Sequence, residues 1–179
     1  MEGVIRNRYV GRTFIESDES RSNAIRSKYT ILPSVLSGRR VFLIEDSVVR
    51  STTLRALITQ LREVGQVAQV HVRVACPAIV APCFYGIDMS TIPELFAPPY
   101  LPAHYDGELS DESLQAMSEE LGIDSLRYLP VADLERIIEL PDGGLCLGCV
   151  TGKYPTEAGA HLIEIAKKNA RTGRRGRTY

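Results

Sequence analysis

The chain has 179 residues, 44% hydrophobic and 24% charged, with a formal net charge of −1. This is about one domain of ordinary globular composition, and a near-neutral chain sets up no global field to recruit nucleic acid or a membrane surface. No apolar run approaches the ~20 residues of a bilayer span, and the N-terminal "MEGVIRNRYVGR" has no apolar signal core, so the expectation is a cytoplasmic protein with neither membrane nor nucleic-acid partners.

In chain order, "VGRTFIES" (Val10 to Ser17) reads as a short strand or an ordered loop, and "SRSNAIRSKYTIL" as an Arg-rich helix or loop. Ser37-Gly38 breaks the chain. Val41 to Ile44 is a short apolar run of the kind found in a buried parallel strand. From Thr52, the apolar residues Leu54, Leu57, Ile58, Leu61 and Val64 recur at helical spacing, with Gly65 as the stop. "VAQVHVRVA" alternates as a second strand, so strand, helix and strand form a βαβ unit.

"FYGIDM" reads as a short strand or turn, and the prolines from Pro93 to Pro102 mark an irregular stretch. "SDESLQAMSEELG" is a helix capped by Ser110 and ended by Gly122. "SLRYLPV" is a short strand, "VADLERIIEL" a helix, "GGLCLGCVTGKYPT" a loop and "AGAHLIEIAKKNA" a last helix. The basic end "KKNARTGRRGRTY" has no interleaved aromatics and reads as a solvated tail rather than a nucleic-acid arm.

The stretch "VFLIEDSVVRSTT", Val41 to Thr53, carries the chemistry. In open α/β sheets, ligands bind at the carboxyl ends of the strands. Here that end holds Glu45 and Asp46, two carboxylates that can accept from a vicinal diol or hold Mg²⁺ through its waters. The hydroxyls of Ser47, Ser51, Thr52 and Thr53 and the N–H groups of a helix start then make an anion cradle. A diol beside a phosphate describes a ribose 5-phosphate. Four cysteines, Cys76, Cys83, Cys146 and Cys149, are too few for a disulfide scaffold and point to metal binding, catalysis or burial.

With these residues in view, the sequence resembles the amidophosphoribosyltransferases, members of the type I phosphoribosyltransferases. "VFLIEDSVVRSTT" is similar to their motif for 5-phosphoribosyl-1-pyrophosphate (PRPP), and "RNRYVGRTFI", "PCFYGIDM" and "CLGCVTGKYPT" agree in the same order. The resemblance covers residues 3–156, with a flexible loop at 6–16 and the PRPP motif at 41–53. Residues 157–179 form a C-terminal helix and basic tail. It implies an α/β fold: part of the type I phosphoribosyltransferase fold, a parallel sheet flanked by helices with a Cys-containing loop and helix at the C-terminus. The implied activity is a glycosyl transfer of purine biosynthesis, in which glutamine-derived ammonia displaces pyrophosphate from PRPP to give 5-phosphoribosylamine.

By matching positions, Glu45 and Asp46 are expected on the ribose hydroxyls and Mg²⁺, and Ser47, Arg50, Ser51, Thr52 and Thr53 on the 5-phosphate. Arg6, Arg8 and Arg12, in a stretch that resembles the family's flexible catalytic loop, are expected to neutralise the pyrophosphate charge as it develops. Tyr9 and Ile15 match positions that line the family's ammonia channel, and Lys28 matches another basic residue at the same site. Cys83, Cys146 and Cys149 match three of the four ligands of a 4Fe–4S cluster that some members hold; the fourth family ligand is upstream of Met1. Purine nucleotides, a glutaminase domain and a homo-oligomer are the implied partners.

The chain departs from the family at two positions of the motif, Glu45 for Asp and Ser51 for Gly. It also has no match to the glutaminase domain or the pyrophosphate loop. The resemblance therefore implies a C-terminal fragment, with apolar sheet edges and helix faces left without partners. A non-catalytic module that binds PRPP or nucleotide is the alternative, and an interaction domain built around metal-binding cysteines is a third.

Overall fold

The computed structural model describes residues 3–7, 29–102, 104–140 and 144–173. Its strands are β1 (Val4–Arg6), β2 (Tyr29–Ile31), β3 (Arg40–Glu45), β4 (Gln69–Val74) and β5 (Ser125–Tyr128). The helices are α1 (Pro33–Leu36), α2 (Thr52–Glu63), α3 (Asp111–Leu121), α4 (Val131–Ile138), α5 (Gly148–Thr151) and α6 (Glu157–Arg171). Strands β3, β4 and β5 form a parallel sheet in that order, with Glu45 opposite Val74 and Val74 opposite Tyr128. Strands β1 and β2 form a separate antiparallel pair that sets Arg6 opposite Tyr29.

The βαβ unit is present as the periodicity predicts. Leu54, Leu57, Ile58 and Leu61 form the buried stripe of α2, and Val70, Val72 and Val74 of β4 face the same core. Met117 and Leu121 of α3 and Leu126 of β5 complete it. Helix α3 starts at Ser110, whose side chain accepts from the Ser113 N–H, and ends at Gly122 in the left-handed region, φ 68°. Helix α6 starts at Thr156 in the same way, accepting from Gly159 N–H.

The structure corrects the sequence reading in several places. Strand β3 is not buried on both faces: Val41 and Leu43 are half-buried, whereas Phe42 and Ile44 are 60% and 66% exposed. Among the described residues β3 has no neighbour on its outer edge. The sheet face bearing Phe42 and Ile44 is therefore open, as expected for a parallel sheet lacking partners. Tyr29–Ile31, read as part of a helix or loop, is a strand, and a one-turn helix at Pro33–Leu36 was not anticipated.

Gly65 does not end α2 by its conformational freedom. The left-handed residue after the Val64 cap is Gln66, φ 51°. A Cβ on Gly65 would instead meet the Leu61 carbonyl at 2.7 Å, so glycine is needed there for close approach. "FYGIDM" is a turn without strand, and the C-terminal cysteine loop contains α5. The stretches 10–17 and 174–179, and most of 6–16, lie outside the described residues.

Candidate functional site

The carboxyl ends of β3, β4 and β5 lie side by side, and Glu45 and Asp46 close the first of them. The Ala75 N–H donates to the Glu45 carbonyl at 2.9 Å, which ties the strand ends together. The Asp46 carboxylate accepts from the Ser47 N–H at 2.6 Å and lies 3.4 Å from the Ser47 hydroxyl. Both acids act on one phenol: Tyr29 is pushed up by burial first, then by Glu45, and further by Asp46, while Arg6 pulls the other way. The small β1–β2 sheet thus sets Tyr29 within electrostatic reach of the acidic strand end, with Arg6 paired opposite Tyr29. Sequence reasoning named Arg6 and missed Tyr29.

The turn after Asp46 is held from both sides. Val48 is buried, and the Phe96 N–H donates to the Val49 carbonyl at 2.8 Å. Arg50 donates from Nε to the Ser90 hydroxyl and pairs with Glu94 at 3.0 Å. Glu94 in turn accepts from the Thr91 N–H at 2.9 Å and hydroxyl at 2.7 Å. The guanidinium expected on phosphate thus also bonds the turn at Ile92–Glu94 and braces the loop. Ser90, Thr91 and Glu94 were not singled out from sequence. Their signal is a serine, a threonine and a glutamate beside a proline in "STIPEL", the pattern of a capping box.

Ser51 occupies the position before α2 with φ 60°, ψ −6°, and is 6% exposed. The family glycine at this position is thus explained by backbone conformation: a left-handed residue is needed there. The Ser51 side chain makes no cap bond to α2. Its Oγ accepts instead from Arg55 Nε at 3.0 Å. Helix α2 also has no acidic residue in its first turn, whereas α3 opens with Asp111 and Glu112 and α6 with Glu157. The partial positive charge at the α2 start, beside Thr52 and Thr53, is thus not neutralised within its own first turn.

A cavity of about 190 Å³ lies at the carboxyl end of β5, between Tyr105, Gly107, Tyr128 and Leu129. Its one lining cation, Arg127, pairs with Asp111 at 3.1 Å, and Glu108 adds a second carboxylate, so the rim is net negative. The α2 end is thus the better anion site.

The cysteines gather around the 75–94 segment. Cys149 anchors it through its carbonyl, which accepts from Val80 and Ala81 N–H groups at 2.9 and 3.1 Å. Tyr85 N–H approaches Cys83 Sγ at 3.4 Å. Tyr154 donates to the Pro82 carbonyl and packs on Phe84, ring centroids 4.8 Å apart. The Cys149 thiol is pushed up by burial, and then by the neighbouring Cys76, Cys83 and Cys146. Yet among the described residues no three His, Cys, Asp or Glu side chains are placed to hold a metal ion. Cys83, Cys146 and Cys149 nevertheless share a neighbourhood. Of the remaining predicted residues, Arg8, Tyr9, Arg12, Ile15 and Lys28 lie outside the described residues.

A parallel sheet whose edge strand ends in two carboxylates leads here through a left-handed turn into a helix without a side-chain cap, a partial α/β fold with room for an anion beside a diol. The comparisons agree and specify it. The chain is 45% identical over 163 residues to the amidophosphoribosyltransferase of Methanocaldococcus jannaschii, covering 90% of this chain and 31% of that protein. It is 42% identical over 160 residues to the Bacillus subtilis amidophosphoribosyltransferase, covering 87% and 31%.

Among solved structures, it matches the B. subtilis glutamine PRPP amidotransferase complexed with ADP and GMP. The TM-score is 0.66 at 44% identity, over 87% of this chain and 32% of that one. A second structure, described as the allosteric regulatory enzyme of purine biosynthesis, matches with a TM-score of 0.65 at 42% identity, with the same coverage. No family model matches the chain. By sequence and fold the chain is homologous to one segment of the amidophosphoribosyltransferases, and it spans about a third of the length of those relatives.

Proposed function

We propose that this segment carries the ribose 5-phosphate half of an amidophosphoribosyltransferase site. The observation that carries the reading is the order of groups along one path. Glu45 and Asp46 sit at a sheet end, and Ser47 to Thr53 follow through a braced turn into the unneutralised start of α2. The acids accept from the 2- and 3-hydroxyls of the ribose, and the turn N–H groups and hydroxyls donate to the 5-phosphate. A pair of carboxylates suits Mg²⁺, which keeps most of its waters and needs few protein oxygens. When bound, the ion offsets the negative charge of the pyrophosphate.

In the whole enzyme the nitrogen–C1 bond of 5-phosphoribosylamine forms as the C1–oxygen bond to pyrophosphate breaks. Arg6, paired opposite Tyr29, is proposed as a cation for that leaving charge. Arg8, Tyr9, Arg12, Ile15 and Lys28 belong to the same proposal through the resemblance alone. So do the boundaries at 3–156 and 157–179, purine nucleotides as ligands, a glutaminase domain and a homo-oligomer as partners, and a cytoplasmic location. Among the described residues, no helix is long and apolar enough to cross a membrane.

The thiols are a separate part of the proposal. The CxxC spacing of Cys146 and Cys149 with Cys83 nearby supports iron–sulfur ligation, and iron and acid-labile sulfide content of anaerobically purified protein measures it.

Calorimetric titration with PRPP in the presence and absence of Mg²⁺ tests the main reading. Saturable, magnesium-dependent binding is expected, reduced at least about tenfold in Asp46→Asn by loss of a charge-assisted hydrogen-bond acceptor. Equal binding by parent and variant would remove Asp46 from the site.

A further inference from the structure

We propose that Arg55 is a positioning residue for the phosphate cradle: through Ser51 Oγ it holds the left-handed turn from which α2 starts. The inference rests on the phosphoribosyl reading of that turn.

A serine before a helix ordinarily turns its oxygen inward to accept from the N–H two or three residues on. Ser51 does not. Its backbone sits at φ 60°, a conformation disfavoured for any residue with a Cβ. Its Oγ is drawn aside to Arg55 Nε, 3.0 Å away and one helical turn further on. Two consequences follow. The first-turn N–H groups of α2 are not spent on Ser51 and keep their field for an external anion. The hydroxyl also has its acceptor side occupied by a cation, which leaves its proton to be donated.

The guanidinium doing this is itself fixed in space. Arg55 NH1 donates to the Glu120 carbonyl and NH2 to the Glu120 carboxylate, both at 2.8 Å. Its Cζ lies 5.6 Å from the centre of the Phe96 ring. Phe96 N–H is the group that holds Val49 in the same loop. The end of α3, the Phe96 segment and the turn before α2 therefore meet at one side chain. Three separate N–H groups reach three acceptors, a geometry open to the planar fork of arginine and closed to lysine. A bare surface ion pair with Glu120 would need neither the Nε bond nor the left-handed serine.

The test is a double-mutant cycle read by calorimetry with ribose 5-phosphate as the probe, on the full chain. Arg55→Gln and Arg55→Lys should each weaken binding by about tenfold, the scale of a lost positioning contact. In Ser51→Gly, glycine holds the turn unaided, so adding Arg55→Gln should change affinity by less than about twofold. An equal loss in both backgrounds, or no loss in either, overturns the role assigned to Arg55. Arg55→Lys supplies the same comparison if the glutamine variant does not fold. Folded parent chain that binds no ribose 5-phosphate overturns the phosphoribosyl reading and this inference together. Parent-like affinity in Arg55→Gln overturns this inference alone.

Discussion

At the scale of single residues, the structure assigns work to side chains whose identity alone says little. Gly159 is an example. Within an α-helix, Gly→Ala is normally stabilising by roughly 1 kcal/mol. In α6 a new Cβ would meet Tyr154 Cβ at 2.7 Å and run into the Tyr85 hydroxyl, which is bonded to Thr156 Oγ1 at 2.9 Å. Overpacking of this kind costs about 1–3 kcal/mol, so the clash outweighs the propensity. Gly159→Ala is expected to lower the thermal midpoint, and a raised midpoint in a melting curve would show that Tyr85 moves away freely. The acids and hydroxyls of Val41–Thr53 were legible in sequence because their order along the chain is their order along the path. Tyr29, Ser90, Glu94 and Glu120 were not, because they reach the site from distant positions and only tertiary packing brings them there.

At the scale of elements, Arg62 of α2 and Asp124, the residue before β5, make a junction. The Asp124 carboxylate accepts from the Val70 N–H at 2.7 Å and from Arg62 NH2 at 2.7 Å. Arg62 also reaches the carbonyls of Ala68 and Gly122. The Asp124 carboxyl is held below its ordinary value, chiefly by the Val70 N–H and with help from Arg62, against an opposing effect of burial. A depressed folded value means that the ionised form stabilises the fold above the unfolded value of about 3.9. That contribution is lost as pH falls below this and through the folded value. The pair is partly open to water, which limits its worth to about 1 kcal/mol. Asp124→Asn should therefore lower stability at pH 7 by about that amount and flatten the dependence of stability on pH below about 4. Urea midpoints for parent and variant that run parallel from pH 7 to pH 3 would contradict this.

Helices and strands at this scale were mostly legible from periodicity. The stripe Leu54–Leu57–Ile58–Leu61 and the caps Ser110 and Gly122 fall where the pattern puts them. The misses have a common cause. Tyr29–Ile31 is a strand because it pairs with Val4–Arg6, and glycine is needed at 65 where a Cβ would also meet Ile31 Cγ2 at 3.2 Å, while Gln66 takes the left-handed turn. Both are tertiary demands that local sequence does not carry.

At the scale of the whole molecule, the described sheet is covered on one face only. Phe42, Ile44, His71 and Arg73 share the other face; Phe42 stacks on His71 with centroids 5.0 Å apart, and Arg73 lies over Phe42 at 5.4 Å. Parallel sheets are ordinarily covered on both faces, and the relatives are about three times as long as the matched segment. The open face was foreseeable from the extent of the resemblance, although the apolar run Val41–Ile44 by itself suggested a fully buried strand. The site survives this incompleteness in the structure because its braces, Arg50 to Glu94 and Arg55 to Glu120, come from within the chain.

The central claim is that one continuous path from Glu45 to Thr53 binds a ribose 5-phosphate, and amide chemical-shift mapping during a titration with magnesium and PRPP tests it most directly. The largest shifts are expected on residues 45–53, with the Ser51, Thr52 and Thr53 amides among them. A folded chain whose amides between 45 and 53 stay unmoved at saturating ligand would contradict it.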